Sequence, residues 1–282
     1  MAIDAHQHFW DPARADYPWM MAPELAPIRR AFGPADLAPL LKANGIDASI
    51  LVQCRSSLAE TEEFLGVAHA TPSVIGVVGW ADLTDGALGD TLDRLRTLPG
   101  GAKLVGIRHQ VHDEADPDWL LRNDVQRGLA ALFARDLTYD FLVRTRELPA
   151  AIATAKTFPQ ARFVLDHAAK PPITEGGSAE WSERIASLAA CDNVWCKVSG
   201  LATEAKWSDW DAERLFPFVQ HVAKCFGEDR LIFGSDWPVC LLAGSYSEIK
   251  TALEACLAKL GASVREKAFE VNAKKAYQLA LT

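Results

Sequence analysis

Eight short apolar, β-rich runs alternate with segments of helical periodicity along 282 residues, and no Pro-rich or Ser/Gly-rich linker divides the chain. These observations predict an α/β fold: one (β/α)8 TIM barrel domain over residues 1–282, with a long loop after the first strand and extra helices at the C-terminus. The runs are continuous rather than strictly alternating, as expected for parallel strands covered on both faces. An open doubly wound sheet is the competing arrangement, but no GxGxxG follows the first strand.

The first strand is AID, running into His6. Residues 9–32 follow, too long for an ordinary βα loop, and hold Trp10, Tyr17, Pro18, Trp19 and Met20. Such an aromatic loop is either a lid over the barrel mouth or a satellite cluster packed on the outer helices. PADLAPLLKANG comes next, with Pro34 and Asp36 at its start and Asn44-Gly45 as a C-terminal cap. ASILVQ ends near Gln53, and LAETEEFLGVAHATP carries its acids early and breaks at Pro72. SVIGVVGW ends at Trp80 and leads into LGDTLDRLRTLPGG. LVGIRHQV, LTYDFLV, ARFVLDH, NVWCKVSG and RLIFGSDW are the remaining strands. NDVQRGLAALFARD, LPAAIATAKTFP, SERIASLAAC and ERLFPFVQHVAKCFG are the helices between them. YSEIKTALEACLAKLG and SVREKAFEVNAKKAYQLA follow the last strand.

The formal net charge is −8 and no Lys/Arg run interleaves with aromatics, which argues against a nucleic-acid partner. No stretch approaches the ~20 apolar residues of a membrane span, and no basic segment precedes an apolar one at the N-terminus. A cytoplasmic location is the default expectation. The six cysteines (Cys54, Cys191, Cys196, Cys225, Cys240, Cys256) form no CxxC pair and read as reduced core residues. The composition suits an enzyme for neutral or mildly polar small molecules, and a homo-oligomer is compatible with it.

In a barrel, chemistry collects where strands end. Strand one ends His6-Gln7-His8, a spacing that puts both imidazoles on one face. Strand two ends Gln53-Cys54-Arg55, and strand four ends Arg108-His109-Gln110 with His112 just beyond. Strand six ends Asp166-His167, with Lys170 in the loop AAKPP. Strand eight ends Gly234-Ser235-Asp236-Trp237-Pro238, where the carboxylate is either a turn-former or a poised base. His69 and His221 lie inside helical segments and read as surface or packing residues.

AHQHF, LDH and FGSDWP are similar to the amidohydrolase superfamily. DAHQHFW, VGWADL, GIRHQVHDE, DHAAKP, KVSGL and FGSDWPVC resemble, more closely, its branch of sugar lactonases acting on L-fucono- and L-rhamnonolactones. The likeness runs from Ala5 to about Tyr277 and implies a barrel that hydrolyses a ring ester. His6 and His8 match the family's first-strand pair, His167 its later-strand histidine and Asp236 its eighth-strand acid. Binuclear members bridge two metals with a carboxylated lysine at a strand end. Here Lys103 comes too early in strand four and Lys170 lies past a strand end, which argues against a two-metal centre. A single divalent ion such as zinc on His6, His8, His167 and Asp236 is chemically sensible. The resemblance equally covers members that work without a required metal, so no cofactor is strictly called for.

The expected chemistry is attack of water on the carbonyl of a sugar lactone, L-fuconolactone or a close relative. Asp236 takes the water's proton and later returns it to the ring oxygen. His6, His8 and His167, with Arg108 or His109, stabilise the oxyanion. Arg55, His112, Lys170 and Asp140 are the expected polar sugar contacts, and Trp10, Trp207 or Trp237 the aromatic face. The alternatives are a metal-dependent decarboxylase or dicarboxylate lactonase, with Arg55, Arg108 and Lys170 holding a substrate carboxylate, and a catalytically silent barrel that binds a sugar acid.

Overall fold

Each of the eight expected runs forms a strand in the computed structural model, which describes residues 1–279; the last three residues of the expected domain lie outside these. In chain order they are β1 Ile3–Gln7, β2 Ala48–Val52, β3 Val74–Gly79, β4 Leu104–His109, β5 Thr138–Phe141, β6 Phe163–Leu165, β7 Val194–Val198 and β8 Leu231–Phe233. All neighbours pair parallel in sequential order. The seam between β8 and β1 is closed by Asp236 N donating to His6 O (2.8 Å) and His8 N to Trp237 O (2.7 Å). The bonds that complete the barrel therefore run through four of the residues singled out at its strand ends.

The helices are α1 Pro34–Ala43, α2 Leu58–Ala70, α3 Leu88–Thr97, α4 Asn123–Phe133, α5 Leu148–Thr157, α6 Ala179–Ala189, the short α7 Leu201–Glu204, α8 Ala212–Phe226, α9 Tyr246–Leu260, α10 Ala262–Glu266 and α11 Asn272–Ala276. Their starts are chemically fixed. Ser57, Ser178 and Asp211 accept from the third backbone N–H of α2, α6 and α8, and Ser245 with Glu248 makes a reciprocal cap on α9. The last expected helix is broken by a π-turn at Lys267–Val271. Just past it, the Asn272 amide donates to Glu228 O and Leu231 O (2.8 Å each) and pins the chain to the start of β8. Ala273, Ala276 and Tyr277 then close the bottom of the barrel against Ile3, Ala5, Ile50, Val52 and Ile232.

The long loop is a packed cluster. Trp10 and Phe32 exchange backbone bonds (3.1 and 2.9 Å), and Trp10, Met20, Ile28 and Phe32 are buried with the main core. Trp19 Nε1 donates to Cys54 O (3.1 Å), which fastens the cluster beside the end of β2. Five cysteines are buried and Cys225 half-buried, all as free thiols. Among the described residues no helix is long and apolar enough to cross a membrane.

Candidate active site

A register shift in β1 between Asp4 and Gln7 sets up the first strand's chemistry. Asp4 anchors the irregularity: Oδ1 accepts from His6 N (3.2 Å) and Ser235 N (2.9 Å), and Oδ2 accepts from the Tyr246 hydroxyl on α9 (3.0 Å). Burial pushes its carboxyl up to about 6. His6 and His8 meet with Nε2 atoms 3.2 Å apart. His8 Nδ1 lies 2.7 Å from Val52 O and donates to it, which turns Nε2 toward the site.

Asp236 enters from the turn after β8. A Cβ on Gly234 would stand 2.6 Å from His6 Cβ, so only glycine fits between the turn and β1. Asp236 itself has φ 60, a left-handed conformation that Asp tolerates better than most residues. Its Oδ1 lies 3.4 Å from His8 Nε2, 3.8 Å from His6 Nε2 and 3.9 Å from His167 Nε2. Burial pushes this carboxyl up, but His167, His8 and His6 outweigh that and hold it below the usual carboxylate range. It is the ionised group on which the imidazoles converge.

His167 begins a run of four left-handed residues, 167–170. The turn is held by Trp181 Nε1 donating to Ala168 O (2.9 Å). His167 Nδ1 bonds Ser199 Oγ (2.9 Å), and Gly200 (φ 64) leaves room for the ring, because a Cβ there would come 2.6 Å from Nδ1. Burial lowers the His167 pKa to about 4, and burial together with Lys197 and His167 lowers that of His6 well below its ordinary value against the pull of Asp166. Both rings are therefore neutral near pH 7. His6, His167 and Asp236 each offer a ligand atom, all within 4.8 Å of one another, in a geometry open to a cation.

Beneath His6 lies a buried ion network. Arg108 Nη1 donates to Asp166 Oδ2 (2.9 Å) and lies 3.2 Å from His6 Nε2, while Nη2 donates to Gln53 O. Lys197 Nζ, fully buried, lies 2.7 Å from Asp140 Oδ2, 2.9 Å from Asp166 Oδ1 and 3.2 Å from His6 Nδ1. Tyr277 from the barrel bottom donates to Asp140 Oδ2 (2.6 Å). Burial raises Asp140 to about 6; Asp166 feels burial too, but Lys197, His6 and Arg108 hold it well below its ordinary value. Sequence reasoning missed the structural roles of Lys197, Asp166 and Ser199. The available signal was a lysine inside the apolar strand VWCKV, since lysine is almost never fully buried unless paired.

Other expected site residues lie elsewhere. Asp140 is not on the rim; its place on β5 puts it under Lys197 with no exposed surface. His109 alternates with Arg108 and so leaves the Asp236 cluster: it stacks on Trp119 (4.2 Å, 9°) and bonds Trp80 Nε1 (3.0 Å) and Glu114 Oε1 (2.7 Å). Trp10 and Trp237 offer no open aromatic face, for Trp237 packs edge-on to Phe9 and Phe32 and Trp10 Nε1 donates to Ile28 O (3.1 Å). Trp207 is half-buried beyond α7, with Nε1 on Thr203 O (3.0 Å). Arg55, His112 and Lys170 do stand at strand ends around the mouth. Arg55 faces Glu60 (3.5 Å) and Tyr17, and Lys170 faces Glu204 (3.5 Å). Burial lowers His112 to about 3, so it is a neutral ring bonded through Nδ1 to Leu142 O (3.4 Å).

Residues 3–279 match the family model described as Amidohydrolase. The chain is 42% identical over 282 residues to an L-fucono-1,5-lactonase of Burkholderia ambifaria, covering 98% of this chain and 95% of that protein. It is 39% identical to an L-fucono-1,5-lactonase of Burkholderia multivorans, covering 99% and 96%. A crystal structure of an amidohydrolase from Burkholderia multivorans with bound zinc superposes with a TM-score of 0.93 at 38% identity, covering 99% of each chain.

Proposed function

The chain belongs to the amidohydrolase family, and from that premise we propose that it opens the ring ester of a sugar lactone, L-fucono-1,5-lactone or a close relative, to the aldonic acid. It is a hydrolase of a carboxylic ester. The observation that supports the chemistry is the convergence of ionised Asp236 with three imidazoles beside the Arg108 guanidinium at the barrel mouth. Full-length likeness to two L-fucono-1,5-lactonases supports the substrate.

The chain's own groups account for the steps. The Asp236 carboxylate accepts the proton of a water that attacks the lactone carbonyl, and the protonated acid then returns it to the ring oxygen as the C–O bond breaks. Arg108, anchored by Asp166 and the Gln53 carbonyl, supplies fixed positive charge where the oxyanion develops, in a site that excludes most solvent. The protein's work is to hold a wall of imidazoles around one carboxylate. Arg55, His112 and Lys170 form the sugar-facing rim. Because Lys170 is already matched to Glu204, that rim suits hydroxyls better than a substrate carboxylate.

The donor set also fits one divalent ion. His6, His167 and Asp236 each place a ligand atom within 4.8 Å of the other two, and His8 Nε2 lies beside them, 3.2 Å from His6 Nε2 and 3.4 Å from Asp236 Oδ1. Bound there, the ion would polarise the carbonyl and acidify a water.

A panel of neutral aldonolactones, acidic lactones and aromatic acids, followed with a pH indicator, tests the reading. It should be run with and without chelator on samples of measured metal content. Fastest turnover of L-fucono-1,5-lactone or a near stereoisomer is expected. Preference for an acidic substrate, or binding without turnover, overturns it.

A further inference from the structure

We propose that Glu204 is a specificity-determining residue: by sharing its carboxylate between Lys170 and Arg144 it keeps the barrel mouth for neutral lactones, and without it the same rim would accept a lactone that carries a carboxylate.

Three strand ends bring these groups together. Past β5, Arg144 Nη1 reaches Glu204 Oε2 (3.4 Å). Past β6, Lys170 closes the left-handed turn that begins at His167, with its backbone N–H on His167 O (2.8 Å), and its Nζ stands 3.5 Å from Glu204 Oε1. Past β7, Gly200 abuts the His167 ring and α7 follows at once, with Glu204 as its last residue. Thr203 Oγ1 donates to Gly200 O (2.8 Å) and Trp207 Nε1 to Thr203 O (3.0 Å), which holds this short helix in place. Glu204 and Lys170, both half-buried, therefore belong to the two turns that hold the His167 ring.

Two cations share one carboxylate, and among the described residues neither has another acid within ion-pair distance. Their charges reach the end of β4 as well: after burial, Lys170 and Arg144 both help to depress the proton affinity of His112. The remaining carboxylate on this side, Asp113, faces His112 Nε2 (3.3 Å) but is exposed, so solvent screens it. Partly exposed pairs at 3.4 and 3.5 Å add little to stability, so the effect of Glu204 falls on what the mouth admits. A sugar hydroxyl both donates and accepts, and it pairs with a carboxylate as readily as with a cation. A substrate carboxylate would instead have to displace Glu204 from both cations and lie against a like charge. Such a repulsive group is a common source of discrimination between related ligands. With its charge removed, a guanidinium and an ammonium would stand unmatched at one side of the mouth, a pair of groups well suited to an acid.

The inference rests on the lactonase reading and is tested on matched substrates: L-fucono-1,5-lactone, with a methyl group on the ring, and the galactaro-1,5-lactone of the same ring configuration, with a carboxylate in its place. In Glu204→Gln, kcat/KM for the acidic lactone relative to the neutral one should rise about tenfold, as expected from removing one charge several ångströms from a bound carboxylate, and the gain should lie in KM. Glu204→Gln combined with Lys170→Met should lose that gain. An unchanged ratio, an equal fall for both substrates as a purely structural carboxylate predicts, or a gain that survives the loss of Lys170 overturns the inference. The parent protein separates this failure from that of the lactone assignment. A parent that turns over neither lactone, or prefers the acidic one, refutes the assignment itself. A parent selective for the neutral lactone, with the ratio unmoved in Glu204→Gln, refutes only the role of Glu204.

Discussion

Replacing Asp236 by Asn separates the chemistry of the carboxylate from the shape of its turn. Asn is nearly isosteric and, like Asp, tolerates the φ of 60 found there. The Asp236 N to His6 O bond belongs to the backbone and survives, so the β8–β1 seam stays closed. The substitution also removes a buried charge and leaves an amide 3.4 Å from His8 Nε2. The melting temperature should therefore stay within about 3 °C of the parent's, roughly the shift that a change of about 1 kcal/mol gives in a chain of this size. The rate should not survive. A positioned general base is worth roughly 10²–10⁴-fold, or about 3–5 kcal/mol of barrier, and an amide cannot take the water's proton. Initial rates on L-fucono-1,5-lactone, with metal content measured on the same samples, should show kcat down by at least 100-fold and KM changed by less than threefold. A folded Asp236→Asn protein retaining a tenth of parental kcat would refute the assignment.

Three further outcomes follow from the surrounding packing and charge. Arg108→Met should lower kcat by roughly 100-fold, as for a lost oxyanion donor, and Arg108→Lys should not restore it, because one ammonium cannot reach both Asp166 and the Gln53 carbonyl; full rescue by lysine would contradict the role. Gly234→Ala drives a Cβ to 2.6 Å from His6 Cβ, so thermal melts should show about 1–3 kcal/mol of destabilisation and the rate should fall with the displaced ring; a neutral melt would mean the seam yields. Burial, partly offset by the backbone N–H groups of Cys54 and Arg55, raises Glu60 to about 7 from 4.5. The native state then holds this proton more tightly than the unfolded chain, so its stabilising effect is complete below pH 4.5 and disappears as pH rises through about 7. Denaturant titrations should lose about 3 kcal/mol from this group across that window, and Glu60→Gln should flatten the loss; an unchanged slope would place the titration elsewhere.

What the sequence disclosed and what it hid divide along one physical line. Strand positions were legible because parallel strands covered on both faces must be apolar throughout, and all eight runs from AID to RLIFGSDW became β1 to β8. His6, His8, His167 and Asp236 were legible because chemistry gathers at strand ends, and their contacts meet at Asp236 Oδ1. The errors arose where a polar residue sat at or within a strand and its facing direction was not asked. Period-two alternation turns Arg108 into the barrel and His109 out to Trp119, and the same alternation could have separated them beforehand. Asp140 and Lys197 sit inside strands rather than past their ends, and each is too costly to bury alone. An acid and a base that both fall within apolar strands with a single strand between them in the barrel are better read as partners of each other than as ligands of a substrate. On that reading the pair points at a third group needing support, and the structure places His6 Nδ1 3.2 Å from the lysine. The alternation rule thus reaches beyond the fold to the groups that hold a site histidine in place.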